Sequence, residues 1–171
     1  WAVVSSSVYG ATLILLYTMS TLYHAITNQR AKRVLRILDH STIYLLIAGT
    51  YTPYALVTLG HGPVGWVVFG LVWGVAAVGI TLNSVSVERF KKVSLILYIC
   101  AGWAVVIAMK PILDSLAPAG LWLMLVGGLF YTGGIVFYKM KSRRYFHGIW
   151  HFFVLAGSVA HYFSILLYVV K

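Results

Sequence analysis

Charge is scarce in this 171-residue chain: 9% of its residues are Asp, Glu, Lys or Arg, and only three are acids. A soluble domain carries about 25% charged residues, so there is too little charge here to coat a water-facing surface. Cysteine is nearly absent as well. The one copy, Cys100, lies inside an apolar run, which excludes a disulfide framework within the chain and reads as a small buried side chain. An initiator Met is also lacking. The sequence begins at Trp1 and runs straight into apolar residues, so we expect a fragment without its natural N-terminus.

What is present is apolar: 61% of the residues are hydrophobic. They come in repeated blocks near the ~20 residues that cross a bilayer, whereas a secretory signal has one short apolar core. The pattern predicts an all-α, polytopic membrane helix bundle forming one transmembrane domain. Its six spans run over about 2–26, 38–59, 64–82, 93–109, 117–138 and 145–170. The short connections imply that sequential antiparallel helices pack as neighbours. Gly49 and Pro53 predict a kink in the second span, and Gly127, Gly128, Gly133 and Gly134 thin the fifth for close packing.

The basic residues sit between these spans, which points to topology and not to nucleic acid. Residues 27–38 hold Arg30, Lys32, Arg33 and Arg36; 83–92 hold Arg89, Lys91 and Lys92; 139–144 hold Lys139, Lys141, Arg143 and Arg144. Eleven of the thirteen basic residues therefore lie in alternate loops, leaving Lys110 and Lys171 on the other side. By the positive-inside rule the three basic loops face the cytoplasm and both ends of the chain lie outside. The same charges suit contact with lipid headgroups.

Ionisable groups are costly in hydrocarbon and are functional candidates there. His24 closes the first span, Asp39 opens the second, and His147 and His151 open the sixth, so all four share the depth of the basic loops. His147 and His151 form an i, i+4 pair on one face, and Ser20 stands one turn deeper than His24. Three histidines from two helices, with a carboxylate from a third, have the makings of a catalytic zinc site, which keeps one position open for water. The plainer reading is a set of hydrogen-bonded packing residues. His161 lies about 21 Å further along its helix than His147, near the outer face. His61 belongs to an external His-Gly-Pro turn, and His40 points about 100° from Asp39, which is the favoured member of that pair.

The same residues carry a family resemblance. Ser20–His24 (Ser-Thr-Leu-Tyr-His), Leu38–His40 running into Ile47–Tyr54 (Ile-Ala-Gly-Thr-Tyr-Thr-Pro-Tyr), and His147–His151 (His-Gly-Ile-Trp-His) resemble the bacterial hemolysin III family. That family is related to the adiponectin and progestin receptors and, more distantly, to alkaline ceramidases. The resemblance implies seven helices, of which the first is absent here, in a bacterial inner membrane. It implies Zn2+ held by His24, His147 and His151. Ser20 and Asp39 match the family's Ser and Asp, the latter placed to hold a zinc-bound water.

The expected function is a zinc-dependent membrane hydrolase of a lipid amide or ester, with membrane lipids as surroundings and an acyl-chain lipid as substrate. Asp39 would orient the water or take its proton; Ser20 would bond the developing oxyanion or support the shell around His24. The alternative is a non-enzymatic regulator of lipid homeostasis, or a receptor-like protein, with structural zinc. Cytolysis ranks lower, because a secreted pore former needs a soluble state. A transporter is disfavoured because only one carboxylate lies at membrane level.

Overall fold

In hydrocarbon every backbone N–H and C=O must find a partner inside the protein, so apolar runs between short polar turns fold as helices. A computed structural model describes residues 1–60, 62–140 and 145–170, and no strand occurs among them. The turn expected at His61, three basic residues of the fifth loop (Lys141, Arg143 and Arg144) and Lys171 lie outside the described residues. The chain divides into two compact units, 1–108 and 109–171.

The first unit contains α1 (Ala2–Ala25), α2 (Gln29–Pro53) with a π turn over Tyr54–Thr58, and α3 (Pro63–Ser86). It closes with α4 (Lys91–Gly102) and a 3-10 stretch, Ala104–Ala108. The second contains α5 (Met109–Ser115), α6 (Pro118–Lys139) and α7 (Phe146–Ser164), which runs into a second π turn, Ile165–Val169. Among the described residues, five segments are long and apolar enough to cross a bilayer: Ala2–Ala25, Pro63–Ser86, Lys91–Ser115, Pro118–Lys139 and Phe146–Val169. The chain is an all-α, polytopic membrane protein.

The remaining long helix, α2, is the exception, and its composition explains why. It has 25 residues, about 37 Å at 1.5 Å per residue, but carries Asp39, His40, Ser41, Thr42, Thr50 and Thr52 along its length. Such a helix is stable at membrane depth only when other helices shield it. Here α1, α3 and α4 all pack on it, and every residue from Ala48 to Leu56 is buried. From α1 comes the stripe Ser5, Tyr9, Thr12 and Leu16, spaced by three and four residues. Two glycines set the contact distances: a Cβ on Gly49 would strike Thr12, and one on Gly79 of α3 would strike the Tyr44 ring.

Helix α2 also begins earlier than the apolar run. It starts at Gln29, where the Asn28 side chain accepts from the N–H groups of Arg30 (3.0 Å) and Ala31 (3.2 Å) and so caps the helix. The first basic segment is therefore mostly helix, and Asp39 lies well inside α2 instead of opening it. Arg36, on the same helix, pairs with Glu88 in the turn after α3. The disturbance expected at Pro53 takes the form of the π turn that follows it, because proline offers no N–H to the preceding turn.

The fourth apolar run is interrupted at Trp103, where α4 gives way to the 3-10 stretch before Pro111. A break at membrane depth frees backbone groups that need partners. The Tyr51 hydroxyl serves two of them: it donates to the Gly102 carbonyl (2.6 Å) and accepts from the Val105 N–H (2.9 Å). Replacing Tyr51 by Phe keeps the ring and strands both groups. We expect Tyr51→Phe to lower unfolding stability by about 1–3 kcal/mol, seen as a reduced midpoint in detergent-based thermal unfolding. An unchanged midpoint would mean that other groups satisfy the break.

Candidate functional site

Ser20 continues the buried stripe of α1 by another turn, and His24 follows one turn later, at the end of the helix. The His24 Nδ1 lies 2.8 Å from the Ser20 carbonyl oxygen. A carbonyl only accepts, so Nδ1 carries the proton and the ring's lone pair sits on Nε2. This is how metal-binding histidines are commonly held: one nitrogen donates to an oxygen, and the other is presented in a fixed tautomer. The Tyr23 ring stands edge-on to the imidazole at 4.8 Å, and His24 is exposed.

On α2 the Asp39 side chain is only 14% exposed. Its neighbour His40 is closer to it than a 100° separation on the helix suggests. The His40 ring folds back along its own helix so that Nδ1 lies 3.0 Å from the Arg36 carbonyl and 3.5 Å from Asp39 Oδ2. The carbonyl again requires the proton on Nδ1, with the Asp39 carboxylate a close neighbour of the same nitrogen. The Cβ directions of residues 39 and 40 diverge by about 100°, but the reach of the imidazole brings its Nδ1 back beside the carboxylate. The signal available was the i−4 carbonyl, four residues back.

In the second unit, α6 and α7 are joined by rings seated against glycines. Trp150 and Phe153 pack on Gly134, where a Cβ would lie 2.9 Å from Phe153 and 3.0 Å from Trp150. Phe137 bridges Phe146 and Phe153, with centroids 5.5 and 5.0 Å away. Gly127 receives His161, which stacks on Tyr131 at 5.4 Å, and Gly157 receives the Tyr131 ring. Of the four glycines expected to thin α6, Gly127 and Gly134 seat rings, Gly133 makes ordinary contact, and Gly128 faces open space. His161 is thus a buried packing residue of the α6–α7 pair.

This packing fixes the rotation of α7 and leaves His147 and His151 on the flank of its contact face. His147 is exposed and His151 half-buried. Their rings stand nearly perpendicular, and their Nε2 atoms approach to 3.1 Å. Two imidazole nitrogens at that distance need a proton or a cation between them, because two lone pairs facing each other repel. Two nitrogens bound at 2.0–2.1 Å to a tetrahedral zinc stand about 3.3–3.4 Å apart, so the pair's spacing fits such an ion with little adjustment. Within each unit, then, His24 is brought to the Ser20 carbonyl, Asp39 to His40, and His147 to His151.

Residues 1–162 match the family model described as Haemolysin-III related. The chain is 45% identical over 168 residues to Hemolysin-3 of Bacillus cereus, covering 98% of this chain and 76% of that protein. It is 44% identical over 171 residues to the Hemolysin-3 homolog of Bacillus subtilis (strain 168), covering all of this chain and 80% of that one. A more distant similarity, 28% over 177 residues, links it to the monocyte to macrophage differentiation factor of Homo sapiens, with 100% and 73% covered. No solved structure matches.

Proposed function

The chain belongs to the haemolysin-III related family, and within it we propose a membrane-embedded, zinc-dependent hydrolase of a lipid amide or ester. The observation that carries this reading is the His147–His151 pair, whose Nε2 atoms converge to 3.1 Å. His24, with Nδ1 committed to the Ser20 carbonyl, supplies the third nitrogen by motif match. Zinc held by these three would supply Lewis acidity toward a carbonyl oxygen and a water acidic enough to react at neutral pH.

The chain's own residues do the rest. Asp39 orients the attacking water, takes its proton at a carboxylate oxygen and passes it to the departing amine or alcohol as the C–N or C–O bond breaks, with the His40 ring beside it. Ser20 donates its hydroxyl to the oxyanion that develops on the substrate carbonyl, or steadies His24 through the shared turn of α1. The substrate class follows from surroundings: a group that reacts beside apolar helices is best presented on an acyl chain in the same bilayer. Lysis, suggested by the names of the Bacillus relatives, would follow from disturbance of membrane lipid. The family name alone does not assign an activity.

We also place the basic segments in the cytoplasm of a bacterial inner membrane, which puts Ser20, His24, Asp39, His147 and His151 near that face. In a Cys100→Ser background, cysteines introduced at 30–36 should be shielded from an impermeant reagent in intact cells. Cysteines near 114 should react. The opposite pattern would reverse the orientation.

Purified protein should hold about one zinc per chain. His147→Ala and His151→Ala should each lose it, since a three-ligand site cut to two binds far more weakly. His161→Ala should keep the metal, because that ring is packed between Gly127 and Tyr131. Stoichiometric zinc in the double variant His147→Ala/His151→Ala would eliminate this site.

Asp39→Asn separates enzyme from structural metal protein. The amide keeps the size of the side chain and removes its negative charge and basic oxygen. Zinc should stay, and release of fatty acid from a long-chain amide or ester should fall by roughly 10²-fold or more. A wild-type protein with full zinc and no such turnover, together with an Asp39→Asn variant that loses metal, would instead favour a regulator or receptor-like protein with structural zinc.

A further inference from the structure

A run of hydrogen bonds links three helices of the first unit and ends at the backbone carbonyl of His40, the residue after Asp39. It starts on α4, where the Ser94 hydroxyl donates to Asn83 Oδ1 of α3 at 2.9 Å. Asn83 Nδ2 donates to the Tyr98 hydroxyl oxygen at 3.4 Å, and Tyr98 O–H donates to the His40 carbonyl of α2 at 2.7 Å. The His40 side chain separately donates from Nδ1 to the Arg36 carbonyl, and Asp39 Oδ2 lies 3.5 Å from the same nitrogen. Every link has a donor facing an acceptor, so one arrangement of protons satisfies the whole run.

Burial makes this run costly unless it has a purpose. Asn83 is 0% exposed and Ser94 4%. A buried amide in an apolar unit is tolerated only when its partners are in place. Packing alone would be served as well by Leu at 83 and Phe at 98. The Tyr98 ring also lies 4.3 Å from Tyr44, which is 1% exposed and seated on Gly79. The segment of α2 from His40 to Tyr44 is therefore clamped by bonds and by rings from the same two neighbours, directly after Asp39.

We propose that Asn83 and Tyr98 are positioning residues for Asp39: through the His40 carbonyl they fix the rotation of α2 that aims the carboxylate. The inference rests on the role given to Asp39 above, but its central measurement does not require turnover. The chain has only three acids, so the carboxyl infrared band of Asp39 can be isolated by subtracting the Asp39→Asn spectrum. It is recorded for wild type, Tyr98→Phe, Ser94→Ala and a control, Thr52→Val. The control removes the hydroxyl that accepts from Trp73 Nε1 elsewhere on α2.

Tyr98→Phe should shift the Asp39 band and lower kcat by about 10-fold, the lower end of what loss of a supporting hydrogen bond costs a metal-site residue. KM and zinc content should stay as in wild type. Ser94→Ala, which leaves Asn83 and Tyr98 in place, should give a smaller shift in the same direction. It is the deciding variant if Tyr98→Phe does not fold. Thr52→Val should lower stability and leave the band where it is. A shifted band in a protein with no wild-type turnover would keep the positioning role and remove the hydrolase reading. A wild-type band in the folded Tyr98→Phe and Ser94→Ala variants would overturn the positioning role whatever the turnover.

Discussion

No water reaches the hydrocarbon interior to complete a hydrogen bond, and the arrangement of this protein answers to that constraint at each level. Five segments meet it by being apolar on the outside and helical within. Helix α2 cannot, because its sequence is polar along much of its length, so α1, α3 and α4 enclose it. The enclosure needs close approach, and glycine supplies it where Gly49 admits Thr12 and Gly79 admits the Tyr44 ring. The break in the fourth run follows the same logic, with the Tyr51 hydroxyl standing in for the lost helical partners of Gly102 and Val105.

Buried hydroxyls divide into two groups by where they find a partner. Thr52 belongs to both, accepting from Trp73 Nε1 of α3 while donating within its own helix, whereas Thr12 and Thr50 donate to carbonyls three or four residues back in their own helix. Such bonds satisfy the oxygen and say nothing about which helix lies next door. Tyr51, Tyr98, Asn83 and Ser94 bond across helices, as do the Tyr131–Ser158 and Ser164–Gly120 pairs in the second unit. These long-range bonds fix register and rotation, because each is made at only one relative placement of its two helices. Sub-unit architecture is thus specified by a few polar residues in an otherwise interchangeable apolar background.

That division also explains what could be read from the sequence. Apolar runs and basic interruptions give the helical class and most spans, since hydropathy averages over many residues. The start of α2 was hidden because arginines at a headgroup boundary look alike in a loop and in a first helical turn. Asn28 was the overlooked cap. The i, i+4 spacing placed His147 and His151 together, and they do meet at Nε2. The link from residue 40 to 98 to 83 had no local signature. Asn83 reads as the first residue of a basic loop but lies buried inside α3, and no local pattern says which distant hydroxyl it will meet.

Metal ligands and a general base place different demands on a scaffold. Coordination energy itself helps to gather imidazoles, so the proposed ligands His24, at the end of α1, and His147 and His151, at the start of α7, need no deeper shelter than their exposed or half-buried helix ends. An ion bound by them would correct small errors in their placement. A carboxylate that manages a water has no such help: its angle is set only by the backbone that carries it and the groups that bond to it. On the role proposed for Asp39, the polar chain from Ser94 to His40 lies where that need is greatest, on the enclosed helix that bears the carboxylate. On that proposal the most heavily cross-bonded stretch of the first unit and its most sheltered carboxyl group are neighbours for one physical reason.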